Sequence, residues 1–272
     1  MKIGVLVYLR DKNVEESIKQ VHELGLEYCQ LCAWEHSLFT DEVAEIIKSA
    51  CERYNVTVST FWCGWSGPAV WNFYEGPATL GIVPREHREY RISELMAGSD
   101  FAKKLGVGQM ATHVGFIPEQ PTDVLYKELI PSLRLIAEHC RNNGQCFMLE
   151  TGQETPVTLL RTIEELGYDN VGINFDPANL ILYGKANPID ALGIVGKYVR
   201  DVHAKDGLYP RDGKSLGEER VVGTGAVNYP AFIAKLKEIG YDGTLTVERE
   251  ISGEQQIEDI KSTIKYLGEL IG

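Results

Sequence analysis

Glu150, Asp176, His203 and Glu248 are the residues whose types and placement point most directly to chemistry. Each falls near the C-terminal end of a short apolar run: 146–151, 171–176, 199–205 and 245–250. A strand buried on both faces should read as continuous apolar residues. In 171–176, however, Asn174 and Asp176 fall two apart and so share one face. The same polar turn recurs in the run that carries Asp201, His203 and Lys205, and in the run that carries Thr246, Glu248 and Glu250. A buried carboxylate is costly unless it is paired or holds a metal. Three carboxylates brought together without a cation would repel and raise one another's pKa. A divalent ion removes that conflict. Three oxygen ligands and one imidazole suit Mn²⁺, Mg²⁺ or Co²⁺ better than a closed structural zinc site, which favours thiolates. Taken singly, a strand-end acid is an ordinary helix cap or ion-pair partner, and Asp176 before Pro177 suits a turn. Four such residues on consecutive strands make the pattern specific.

The elements that must position them follow from hydrophobic periodicity. Strand-like runs are expected at 3–8, 28–33, 56–62, 109–114, 146–151, 171–176, 199–205 and 245–250. Helical spacing separates them, at 14–24, 41–53, 86–105, 122–142, 156–166, 189–196, 229–239 and 256–270. Two long segments, 63–84 and 206–227, read as loops. Eight alternating strand and helix pairs over 272 residues match the size of a (β/α)8 TIM barrel. An open doubly wound sheet is the alternative, but the regular recurrence of polar strand ends favours closure. The fold class expected is therefore α/β, a single TIM-barrel domain over 1–272, with its chemistry at the C-terminal rim.

Other side chains are expected around that rim. His113 ends the fourth strand and suits a substrate oxygen. Lys205 lies two residues past His203 on the same face and suits an alkoxide or anionic group. All four tryptophans (34, 62, 65 and 71) lie at or after the second and third strands. Trp65 is the first choice for a flat wall against the C–H face of a sugar, with Trp34 and Trp62 suiting such a wall and core or interface packing equally. The Gly223-Thr224-Gly225 turn is too short for a phosphate loop and no basic cluster accompanies it, so an unphosphorylated substrate is expected.

The net charge of −12 disfavours a nucleic-acid partner, whose phosphates require clustered Lys and Arg. No apolar run is long enough for a membrane span. Met1 leads directly into a strand pattern without a signal peptide, and the six cysteines then read as reduced thiols in a cytoplasmic protein. Cys29 and Cys32 share a strand, where i and i+3 face opposite ways, so they read as core filling.

At these residues the chain resembles the xylose-isomerase-like TIM-barrel superfamily of sugar phosphate isomerases and epimerases. The resemblance covers essentially the whole chain. It is carried by Leu149-Glu150-Thr151, Asn174-Phe175-Asp176-Pro177-Ala178-Asn179, Val202-His203-Ala204-Lys205-Asp206, Gly223-Thr224-Gly225 and Val247-Glu248-Arg249-Glu250. It implies that Glu150, Asp176, His203 and Glu248 hold one divalent ion, Mn²⁺ first, with Mg²⁺, Co²⁺ and Zn²⁺ as alternatives. It also implies that Glu150 and Glu248 double as the acid/base pair. The activity implied is isomerisation or epimerisation of a sugar or keto-sugar by proton abstraction beside a metal-bound carbonyl, through an enediolate. The alternative is a lyase or dehydratase using the same chemistry, by inosose dehydration or β-elimination from a 3-keto-glycoside. The partner implied is a small carbohydrate, and many relatives are dimers or tetramers. Two departures weaken a ketose 3-epimerase assignment. Asn179 stands where many members place a histidine, keeping a hydrogen-bonding role toward substrate but no titration near neutral pH. Glu154 is offset from the position of a second family glutamate.

Overall fold

The computed structural model describes residues 1–272. Its ten strands are β1 (Lys2–Leu9), β2 (Tyr28–Ala33), β3 (Thr57–Cys63), β4 (Gln109–Thr112), β5 (Cys146–Glu150), β6 (Val171–Phe175), β7 (Val199–Ala204), β8 (Asp206–Leu208), β9 (Glu218–Arg220) and β10 (Thr244–Val247). Eight of them close a parallel barrel in the order β1-β10-β7-β6-β5-β4-β3-β2. The architecture is a TIM barrel. The helices are α1 (Val14–Glu23), α2 (Asp41–Tyr54), α3 (Gly76–Thr79), α4 (Arg85–Leu105), α5 (Val124–Asn142), α6 (Pro156–Leu166), α7 (Pro177–Leu182), α8 (Pro188–Val195), α9 (Tyr229–Glu238) and α10 (Glu254–Ile271). None is long and apolar enough to cross a membrane.

The principal core lies between barrel and helices. Leu31, Phe61, Phe147, Ile173, Val202 and Leu245 are fully buried on the strands, against Ile18, Ile47, Leu95, Leu133 and Phe232 on the helices. Side-chain caps start the helices where the sequence signals them. Asp123 accepts from Leu125 N at 2.7 Å to open α5, and Asp176 accepts from Asn179 N at 2.9 Å to open α7.

The barrel strands fall where periodicity expects them, with one systematic difference: several stop short of the expected ends. His113 lies just past β4, Asp176 just past β6 and Glu248 just past β10. At the rim a strand loses its ladder neighbours while its chain continues extended, so apolar alternation overshoots the hydrogen-bonded part. Two short helices were not anticipated. The short helices α3 and α7 interrupt stretches read as loop, and α7 begins directly on Pro177, whose fixed φ suits a first helical position.

The segment 206–227 is not simply a loop. Within it β8 and β9 form an antiparallel pair, Asp206 opposite Arg220 and Leu208 opposite Glu218. Asp206 organises the segment, its carboxylate accepting from the backbone N–H groups of Gly207 (2.8 Å), Gly223 (3.0 Å), Gly225 (2.9 Å) and Val227 (3.1 Å). A Cβ on Gly225 would stand 2.2 Å from Asp206 Oδ1, which explains the glycine there. The Gly223-Thr224-Gly225 turn is thus a cradle for the chain's own carboxylate.

Candidate metal centre

Four consecutive rim positions bring Glu150, Asp176, His203 and Glu248 together, all buried, with one ligand atom from each lying within 4.8 Å of the others. His203 Nδ1 is 3.0 Å from Glu248 Oε2, 3.3 Å from Glu150 Oε1 and 3.6 Å from Asp176 Oδ2. Asp176 divides its oxygens: Oδ1 caps α7, while Oδ2 faces the cluster. Asp176 Oδ2, His203 Nδ1 and Glu248 Oε2 are buried with no hydrogen-bond partner. Unpartnered buried polar atoms carry a desolvation penalty that a shared cation would offset. The residues fit a divalent ion, and the oxygen-rich set favours a hard one.

The remaining contacts hold the cluster in place. Glu150 receives a hydrogen bond from the Trp62 indole N–H on Oε2 and one from Asn179 Nδ2 on Oε1 at 3.3 Å. His113 Nε2 approaches the same Oε1 at 3.2 Å. Lys205 Nζ lies 3.1 Å from Glu250 Oε1, 3.3 Å from Glu248 Oε2 and 3.8 Å from Asp176 Oδ2.

Electrostatics follow from these distances. Burial alone would raise the Glu150 carboxyl, but the charges of His113 and His203 beside it hold it well below the carboxylate range. Burial likewise opposes ionisation of Glu248, and Lys205 and His203 outweigh it, bringing its pKa to about 2. Burial disfavours the charged forms of His203 and Lys205, yet the carboxylates around them raise both well above their ordinary values. At Glu154 burial outweighs the opposing influence of its backbone hydrogen bond, His113 and Lys185, and pushes the carboxyl up to about 7.

A cavity of about 360 Å³ opens over the cluster. Glu150, His203 and Glu248 reach it together with His113, Asn179 and Lys205. Three of the tryptophans line it, but not the one expected. Trp34, Trp62 and Trp71 face the cavity, whereas Trp65 is 2% exposed and lies outside the lining, with its ring centroid 5.3 Å from that of Trp34. The physical reason is local. Gly64 brings the chain against Trp34 so closely that a Cβ there would stand 2.4 Å from the indole, and Trp65 is turned into the packing behind. Leu6, Tyr8, Cys32, Leu182, Tyr183, Leu216 and Glu250 complete the walls, and none of them was assigned to the site from sequence. Tyr8 and Glu250 carried a usable signal, since each is a polar residue near the end of a barrel strand.

The chain belongs to the xylose isomerase-like TIM barrel family. That family's sequence profile matches residues 18–270. Among solved structures, the chain is similar to a xylose isomerase domain protein from Planctomyces limnophilus. The two are 37% identical over 99% of this chain and 96% of that one, with a TM-score of 0.93. It shares its fold with D-psicose 3-epimerase from Clostridium cellulolyticum H10, solved with D-tagatose. That pair is 14% identical over 100% and 99% of the two chains, with a TM-score of 0.73. An uncharacterized protein of Methanocaldococcus jannaschii is 29% identical over 152 residues, 52% of this chain and 50% of its own length. The match therefore spans about half of that relative.

Proposed function

We propose that this member of the family is a divalent-metal-dependent isomerase or epimerase of an unphosphorylated sugar or keto-sugar, with Mn²⁺ as its ion. The observation that carries the reading is the convergence of three buried atoms that make no hydrogen bond, on Asp176, His203 and Glu248, beneath a cavity walled by tryptophans. A cation held by Glu150, Asp176, His203 and Glu248 would supply Lewis acidity to a substrate carbonyl and its neighbouring hydroxyl. The chain's own residues do the rest. Glu150 and Glu248 reach the cavity from β5 and β10, separated in the barrel by β6 and β7, and both are held ionised. One removes the carbon-bound proton. Isomerisation gives that same proton to the neighbouring carbon. Epimerisation instead delivers to the opposite face a proton that the other carboxylate has taken from water, the first then releasing its own to water. His113 and Asn179, both within 3.3 Å of Glu150, present nitrogen donors to substrate oxygens. Lys205 stabilises Glu248 as the carboxylate and offers hydrogen to a developing oxyanion. Trp34, Trp62 and Trp71 supply flat apolar faces for C–H groups. Lys205 already faces Glu248, Glu250 and Asp176, which leaves an anionic substituent without an unpaired cation and supports an unphosphorylated substrate.

A lyase reading rests on Asn179. This residue touches Glu150 with an amide that cannot titrate, and in elimination the base that takes the carbon-bound proton can pass it to the departing oxygen, so no second proton carrier is needed at that position. Proton NMR in D₂O on the Mg²⁺- or Co²⁺-loaded protein, with ketoses, inososes and 3-keto-glycosides, decides between the two. Deuterium beside the carbonyl with the carbon skeleton intact supports the isomerase or epimerase. Release of water or an aglycone supports the lyase. Absence of exchange or turnover across the panel, in protein shown to hold metal, would count against both.

A further inference from the structure

Only one ring nitrogen of His203 faces the carboxylates. The other, Nε2, lies 2.7 Å from Gln30 Oε1 and 2.9 Å from Asn174 Nδ2. An amide oxygen only accepts and an amide nitrogen only donates, so the two neighbours ask for opposite states of Nε2. With Nε2 bare, it accepts from Asn174, the neutral ring carries its hydrogen on Nδ1, and no lone pair remains for a cation. With hydrogen on Nε2, the ring donates to Gln30 Oε1, Nδ1 is free to ligate, and the Asn174 amide must turn so that its oxygen, not its nitrogen, faces the ring.

The surroundings of Gln30 favour the second state. Gln30 is fully buried inside the barrel, and its Nε2 lies 3.4 Å from Asp201 Oδ2 and 3.4 Å from Asn174 Oδ1. Asp201 is itself fixed. Its Oδ2 accepts from Thr60 Oγ1 at 2.6 Å and Ser59 Oγ at 3.3 Å, and its Oδ1 accepts from Val202 N at 2.8 Å. Turning the Gln30 amide over would set its oxygen against the Asp201 carboxylate, a repulsive contact in a buried site. The backbone marks the same residues. Barrel pairing shifts register between Cys29 and Gln30 on β2 and between Ile173 and Asn174 on β6. Such irregularities re-aim side chains, and they concentrate beside active sites.

We propose that Gln30, oriented by Asp201, is a positioning residue that keeps hydrogen on His203 Nε2 and the Nδ1 lone pair aimed at the cation. This role rests on the cation reading of the carboxylate cluster. Outer-shell partners of this kind set the tautomer of a ligating histidine, and their loss costs roughly 10–100-fold in metal affinity.

Calorimetric titration of Mn²⁺ into the metal-depleted native chain and into Gln30→Met tests it, with circular dichroism to establish that the variant is folded. The expected result is native binding and affinity weakened by about 10–100-fold in the variant. A native chain that takes up no Mn²⁺ overturns the cation reading and this role with it. Native binding with equal affinity in folded Gln30→Met overturns the role of Gln30 alone. A second measurement needs no variant: ¹⁵N-histidine NMR of the native Mg²⁺-loaded protein. Hydrogen on His203 Nε2 supports the proposal, and hydrogen on Nδ1 overturns it.

Discussion

Lys205 Nζ lies 3.3 Å from Glu248 Oε2, and both side chains are almost wholly buried. The carboxylate cluster therefore has a cation of the chain's own at its edge, which also meets Glu250 and Asp176. Removing it makes the cluster more negative. Lys205→Met is expected to lose about 3–5 kcal/mol of metal-free stability, the cost of breaking a buried pair. It is also expected to bind Mn²⁺ at least about tenfold more tightly, because a repelling charge a few ångströms away is gone. Chemical denaturation with and without Mn²⁺ measures both effects. Weaker Mn²⁺ binding in this variant would contradict the placement of the ion among these carboxylates.

Asp176 divides its two oxygens between the α7 cap and the buried cluster. Oδ1 accepts from Asn179 N at 2.9 Å and caps α7, while Oδ2 is unpartnered and faces His203. An asparagine keeps a capping carbonyl and loses the second anionic oxygen. Asp176→Asn should therefore melt close to the native protein yet bind Mn²⁺ more weakly by at least about 100-fold, beyond the usual outer-shell effect. Asp176→Ala should lose about 1 kcal/mol more, the cap. Equal Mn²⁺ affinity in native and Asn proteins would remove Asp176 from the ligand set.

The clustered residues were legible in the sequence because a carboxylate at the end of an apolar run is a local anomaly. Glu150, Asp176, His203 and Glu248 each break a strand pattern, and barrel topology brings consecutive strand ends together. Asp201 broke the strand pattern in the same way, but nothing in the sequence showed what it touches, and Gln30 gave no such signal. Their neighbours in space come from strands up to 173 residues away in sequence, so only closure of the barrel shows what each amide or carboxylate touches. The choice among tryptophans failed for a related reason. Whether Trp65 or Trp71 faces the cavity depends on the path of the 63–84 segment, which follows no period. The β8–β9 pair was hidden because its strands are short and polar, and because its organising contacts run from one side chain, Asp206, to backbone N–H groups.

Glu154 sits four residues past Glu150, and burial rather than a charged neighbour sets its pKa of about 7. Between its ordinary value of 4.5 and about 7 the folded chain holds a proton that the unfolded chain has released. Stability must then fall as pH rises through that window and level off above it. The full penalty corresponds to about 3 kcal/mol. Glu154→Gln mimics the protonated form, so its stability relative to native should be near zero at pH 4.5 and rise to about 3 kcal/mol by pH 8. Urea denaturation across that range measures the difference. A difference that does not change with pH would show that Glu154 does not titrate in this window.

Arg91 is fully buried on α4, and its guanidinium gathers the loop that walls the cavity. Nε donates to Ser66 O at 3.1 Å, Nη1 to Thr79 O and Gly81 O at 2.7 Å each, and Nη2 to Pro68 O at 2.8 Å. The same group lies 5.3 Å from the centroid of Trp65, which packs against the cavity tryptophans. Lysine carries the charge but not the planar fork, so it can reach only part of this set. Hydrogen bonds from a charged group contribute about 1.5–3 kcal/mol each, and carbonyls left buried without a donor add a cost of their own. Arg91→Lys is expected to lose at least about 3 kcal/mol of stability and to shift tryptophan emission to the red as Trp65 loosens. Denaturation followed by tryptophan fluorescence reads both. A loss under about 1 kcal/mol with unchanged emission would mean that the loop holds its shape without the guanidinium.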